Sequence, residues 1–184
     1  MSSHELTGDG LFQLLLEIDK DIATEARAGG CAQCGGKKFH CGDFPRKPRG
    51  CPQRFLAAYS RRTSLDCATC RHRTTPASVR FLPHRVYLAA VVLLMSTRRS
   101  LRGHWLAREL EVPRRTVERW RHWWRHKFVK TPLWQSLRGR LLPVPTTETL
   151  PGSLLQRLEG ADPTERLVRL LRLLTPLHAR AASA

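Results

Sequence analysis

Acidic side chains are scarce in this sequence, with 15 Asp and Glu against 32 Lys and Arg in 184 residues. The shortage limits catalysis first. The carboxylates Asp43, Asp66 and Glu118 are scattered through separate segments, and nothing spaces them as a two-metal cleavage site requires. Long hydrophobic runs are also missing. The longest, Val86 to Met95, is ten residues, half the ~20 that a membrane-spanning helix needs. The opening residues are polar and acidic, which argues against a secretory signal. The expected setting is a reducing one, the cytoplasm at the nucleoid, with no membrane partner. Neither an internal repeat nor a low-complexity tract is present.

What is abundant is positive charge, a net +17, and it is unevenly placed. Residues 1–30 carry six acids and two bases, whereas 61–140 carry nineteen bases and four acids. A field of that size along the middle of a chain calls for a polyanion, most simply nucleic acid, whose condensed counterions are released on binding. The apolar fraction, 41%, is adequate for a core.

All six cysteines fall between residues 31 and 70. Cys31 and Cys34 form one CxxC and Cys67 and Cys70 a second. In a reducing compartment such pairs bind metal more readily than they form disulfides. Gly35 and Gly36 after the first pair free the backbone to fold under an ion. The reading is a structural Zn²⁺ held by Cys31, Cys34, Cys67 and Cys70, with a hairpin and loop between the two turns: a zinc ribbon. A competing set is Cys31, Cys34, Cys41 and Cys51. Four thiolates leave no position for a reactive water, so the metal serves folding, ordering a segment with no core of its own. His40 and His72 read as surface histidines rather than ligands. Between the two CxxC pairs, "FPRKPRG" sets Arg46, Lys47 and Arg49 on a proline-stiffened stretch suited to phosphate contact.

Helical periodicity marks the flanks. Residues 9–27 place Leu11, Leu14, Leu15, Ile18 and Ile22 at helical spacing. Residues 83–97 form an almost wholly apolar helix, which belongs in a core. Two helices follow, at 100–110 and 114–128, separated by "EVP". On the second, Val117, Trp120, Trp124 and Phe128 fall within roughly 60° of one another at ~100° per residue, an apolar stripe with Trp123 at its border. Arg115, Arg119, His122 and His126 take the opposite side. Leu101, Trp105, Leu106 and Leu110 of the first helix would pack on that stripe. This is a helix–turn–helix layout in which Arg114, Arg115, Thr116, Arg119 and His122 face DNA. Arginine can pair bidentately with guanine, and threonine can meet a phosphate or a thymine methyl. Short helices are expected at 133–141, 152–159 and 163–174.

The order of these motifs, "CAQCGG", a basic hairpin, "LDCATCRHR", an apolar helix and then "LARELEVPRRTVERW", resembles the N-terminal DNA-binding region of bacterial insertion-sequence transposases. The resemblance covers about residues 31–128. It implies that Cys31, Cys34, Cys67 and Cys70 are zinc ligands and that Arg114, Arg115, Thr116 and Arg119 are recognition positions. Such transposases continue into a nuclease domain. Here the 56 residues after position 128 contain four acids, Glu148, Glu159, Asp162 and Glu165, too little to build one.

The expected architecture is mainly α with a small zinc-stapled β module. It comprises an acidic amphipathic helix (1–30), a zinc ribbon (31–80), a tri-helical helix–turn–helix domain (81–130) and a helical tail (131–184). The expected function is zinc-dependent, sequence-specific binding of double-stranded DNA, non-catalytic, as an accessory or regulatory protein of a mobile element. The alternatives are a strand-cleaving transposase remnant and an RNA-binding zinc ribbon. The leucines of the tail, from Leu154 to Leu174, leave two readings open. One is ordinary core; the other is a docking surface for the N-terminal helix, a second copy, or a transposase or recombinase.

Overall fold

The computed structural model describes residues 9–82, 86–97 and 112–178. They form a mainly helical structure with one small three-stranded antiparallel sheet and a four-cysteine cluster at its end. Residues 100–110, expected as the first helix of the helix–turn–helix, lie outside the described residues.

Helix α1 (Asp9–Gly29) matches its periodic pattern, but its buried face is Leu11, Phe12, Leu15, Ile18 and Asp19. Leu14, assigned to that face from spacing, is exposed. The partner of α1 selects the face. Phe12 stacks on Phe55 at 5.5 Å and meets the edge of Tyr59 at 5.9 Å. Tyr59 is fully buried, donates its hydroxyl to the Phe12 carbonyl at 2.8 Å, and has its ionisation pushed up by burial. Both aromatics come from a short helical turn, Gln53–Phe55 continuing into α2 (Leu56–Tyr59), inside the segment expected to be hairpin and loop. The cysteine-rich segment therefore does have a core. It borrows one from α1.

The sheet has the order β1 (Phe39–Pro45), β2 (Arg61–Cys67), β3 (Arg73–Thr74), with Phe39 opposite Cys67 and Pro45 opposite Arg61. β1 is an edge strand with a solvent-facing run from His40 onward, while β2 buries Arg62, Ser64, Leu65 and Cys67.

α1 and the sheet are locked by an ion pair in the interior. Asp19 and Arg80 are both buried, and the Arg80 Nε donates to Asp19 Oδ2 at 2.6 Å. The carboxylate also accepts from the Ser78 hydroxyl at 2.6 Å and the Val79 amide at 2.7 Å. The guanidinium is completed by the Ala58 and Arg61 carbonyls, each at 3.1 Å, and lies over the rings of Tyr59 and Phe81. Arg62 is buried as well; its ionisation is pulled down to about 10 by desolvation, which Asp19 opposes.

The rest packs around α3 (Ala89–Thr97), which is buried from Ala89 to Ser96 because it carries no polar face. The expected start at Pro83 is not met among the described residues, since Tyr87 and Leu88 are extended and bridge Arg49 and Phe81. α4 (Arg114–His126) lays Val117, Trp120 and Trp124 on this core, followed by Phe128. α5 (Pro132–Arg138) starts at a Thr131 cap that accepts from the Trp134 amide. α6 (Gly152–Arg157) precedes α7 (Pro163–Leu174), whose Asp162 cap accepts from the Glu165 amide. The tail leucines Leu154, Leu167, Leu170, Leu171 and Leu174 join the same core cluster as α3, which is the ordinary-core reading of that run.

Removing one partner of a buried, hydrogen-bonded ion pair strands the other charge and costs about 3–5 kcal/mol. Asp19→Ala should lose stability in that range by urea unfolding; a loss below ~1 kcal/mol would mean that the pair does not lock α1 to the sheet.

Candidate metal centre and cationic groove

The two CxxC turns are built alike. In the first, the Gly35 amide donates to the Cys31 carbonyl at 2.7 Å and the Cys31 amide to the Gly36 carbonyl at 2.9 Å. In the second, the Arg71 amide donates to the Cys67 carbonyl at 3.0 Å and the Cys67 amide to the His72 carbonyl at 3.0 Å. The residue after the second cysteine has positive φ in both, 70° at Gly35 and 60° at Arg71. Glycine takes that conformation freely, whereas arginine does not.

These turns place the sulfurs of Cys31, Cys34, Cys67 and Cys70 within 4.8 Å of one another, with Cys31 to Cys70 and Cys34 to Cys67 each at 3.6 Å. A tetrahedral ion with bonds of about 2.3 Å to sulfur sets ligands about 3.8 Å apart. The cluster could hold such an ion. Backbone amides also point at sulfur: the Cys70 amide draws the Cys67 thiol down to about 6, whereas Cys70, against the pull of the His72 amide, is pushed up by desolvation and by the neighbouring sulfurs of Cys34, Cys31 and Cys67. Cys41 on β1 is exposed and outside the cluster. Cys51 is half-buried, and desolvation pushes it up to about 11 against the pull of Arg80. The competing set of Cys31, Cys34, Cys41 and Cys51 is therefore not assembled. His40 and His72 are exposed and also stand outside the cluster.

The cluster closes one end of the β1–β2 pair, and the basic loop leaves the other end at Pro45. Arg46 turns inward, with its guanidinium 5.1 Å from the Phe81 ring centre and its ionisation lowered by desolvation. Lys47 is exposed. Arg49 is held by backbone: its amide donates to the Val86 carbonyl at 2.8 Å and its carbonyl accepts from Leu88 at 3.0 Å. Gly50, at φ 75°, lets the loop approach α3 closely; a Cβ there would stand 3.1 Å from Val91.

Arg49 thereby arrives beside α4. One groove of about 500 Å³ is lined by Arg49 and Tyr87 on one side and by Arg119, Trp120, His122 and Lys127 on the other. Tyr87 meets Trp120 edge to face at 5.0 Å and carries the Arg49 guanidinium 6.0 Å from its ring centre. Arg114 pairs with Glu118 at 2.9 Å on the exposed side, and Arg115 is exposed. Thr116 is not on that face. It is buried at the groove floor and accepts from Arg119 Nη2 at 3.2 Å, so it orients that arginine. His122 stacks near His126 at 4.4 Å.

In sequence Arg46, Lys47 and Arg49 stand as equals, and spacing singles out neither Tyr87 nor Lys127. Positive charge is the local signal that Lys127 offers; Tyr87 joins through a tertiary bridge that no local pattern records. Comparison with protein-family models, curated proteins and solved structures returned no match.

Elemental analysis of the purified chain should give one metal ion per molecule. Cys34→Ser and Cys67→Ser should lower that occupancy, whereas Cys41→Ser and Cys51→Ser should leave it intact. Loss of metal on Cys41→Ser would overturn the ligand assignment. Arg71→Gly should raise thermal stability by up to ~1 kcal/mol, the relief of left-handed strain less the added freedom of the unfolded chain.

Proposed function

We propose that this chain is a zinc-stapled, sequence-specific binder of double-stranded DNA without catalysis of its own, serving a mobile element as an accessory or regulatory protein. The observation that carries this reading is the shared groove. Arg49, delivered by the cysteine-held hairpin, and Arg119, His122 and Lys127, delivered by α4, line one cationic surface.

Charge supports the same reading. The first turn of α4 holds Arg114 and Arg115 and no acid. A helix N-terminus already favours anions, so two arginines there add to the pull on a phosphate. Arg115, His122 and His126 form the crest of the helix, its solvent side opposite the buried stripe. In this reading α4 is the recognition helix of a helix–turn–helix and enters the major groove, while Lys47 and Arg49 reach the backbone. The tetrathiolate zinc is structural and holds the loop in register with the helix.

The carboxylates that an enzyme would need are engaged elsewhere: Asp43 with Arg61 at 2.9 Å, Asp66 with Arg73 at 2.7 Å and Glu118 with Arg114. The motif order of the sequence supplies the mobile-element setting, and a transposase or recombinase is the protein partner that setting implies.

Selection of bound sequences from a random duplex pool should return a consensus with metal-loaded protein and none after chelation. At the selected site, Arg115→Ala or Arg119→Ala should cost about 1–3 kcal/mol in binding if either reads a base. Unchanged affinity for both variants would remove α4 from the interface, and recovery of no consensus would end the sequence-specific reading.

A further inference from the structure

The groove between Arg49 and α4 combines two chemistries that a fully paired duplex cannot use together. Its rim is cationic: Arg49, Arg119 and Lys127 converge on it, and no carboxylate is among its described lining residues. Its floor is aromatic. Tyr87 and Trp120, 9% and 3% exposed, meet edge to face beneath it, and the half-buried Trp123, which also packs on Trp124 and Phe128, lines the open space. Val86, 47% exposed, extends the apolar wall.

The phosphates of a paired duplex can reach the rim, but its bases are stacked on one another and face their complements. A ligand that satisfies both parts carries a flat apolar ring next to an anion, which describes a nucleotide whose base has left the stack. Aromatic side chains hold such bases by stacking, with little regard for sequence because every base has a π-face. The Arg49 guanidinium over Tyr87 offers a second planar group beside the aromatic one. The volume, about 500 Å³, lies in the range of small-ligand sites, about 300–1,000 Å³.

We infer that this groove captures an unpaired nucleotide, its base against Trp123 and its phosphate against Arg49, Arg119 and Lys127. The protein therefore prefers DNA carrying an unpaired base to the same DNA fully paired. This rests on the DNA-binding reading above, in which Arg115 and the crest of α4 engage the paired portion.

The test is fluorescence anisotropy with metal-loaded full-length protein on three labelled probes. They are a blunt duplex, the same duplex with one bulged thymidine, and that bulge made abasic. Stacking one base should tighten the thymidine-bulge complex by at least about five-fold over the blunt duplex, and the abasic bulge should lose most of that gain. Trp123→Phe should keep the ratio between bulged and blunt affinities, and Trp123→Leu should bring it towards one. Arg49→Ala should reduce it with the aromatic floor untouched. Equal wild-type affinity for bulged and blunt duplexes, or an equal gain from the abasic bulge, overturns the inference while leaving DNA binding in place. Failure to bind any probe overturns it together with the reading it rests on. Competition for the groove by an acidic aromatic peptide, with no preference among the duplexes, would reassign the site to a protein partner.

Discussion

Four cysteine sulfurs from two distant turns lie within 4.8 Å of one another, close enough to hold a metal ion. As thiolates they would repel, and a cation between them would turn that repulsion into bonding. Everything that presents the groove begins at this point. Two turns of matching hydrogen-bond pattern fix the cysteines, the turns fix the register of β1 against β2, and that register aims the loop from Arg46 to Gly50. The loop then meets α3 and Tyr87, and through Tyr87 it meets Trp120 of α4.

A second constraint works from the opposite side. The buried Asp19–Arg80 pair, with Ser78 and Val79, fastens α1 across the segment that follows the sheet. A chain with so few acids has spent one in its interior, where it offsets guanidinium groups that could not otherwise be desolvated. The stability of the cysteine-rich segment is thus shared between the cluster at one end and an apolar-ionic interface with α1 at the other. That division explains why the segment can hold a long exposed edge strand and a basic loop without collapsing.

Much of this was legible in the sequence, and the failures have common causes. Helices with a dominant apolar stripe or a clear cap were legible: the Val117, Trp120, Trp124, Phe128 stripe is buried, and Asp162-Pro163 opens α7 where the pattern placed it. The cysteines that come together are those of the two CxxC pairs, because a knuckle is a local turn written in three or four residues. Long-range pairing was not legible. Phe12 rather than Leu14 faces inward because Phe55 and Tyr59 lie there, and those belong to a helical turn too short to show a period. Asp19 reads as a surface acid until Arg80, 61 residues later, is placed beside it. Arg46, Lys47 and Arg49 look equivalent in a row, yet tertiary contacts turn the first onto Phe81 and the last into the groove.

In the function proposed above, the cysteine-held loop and α4 act on one length of DNA as a single surface. The slope of binding constant against salt concentration reports the phosphates neutralised, at about 0.9 per contact on duplex DNA. Measured on metal-loaded protein, Arg49→Ala and Arg119→Ala should each lower that slope by about one and the double variant by about two. After chelation, Arg49→Ala should no longer change it. An Arg49→Ala slope equal to that of the unsubstituted chain with metal bound would mean that the loop does not share the DNA contact with α4.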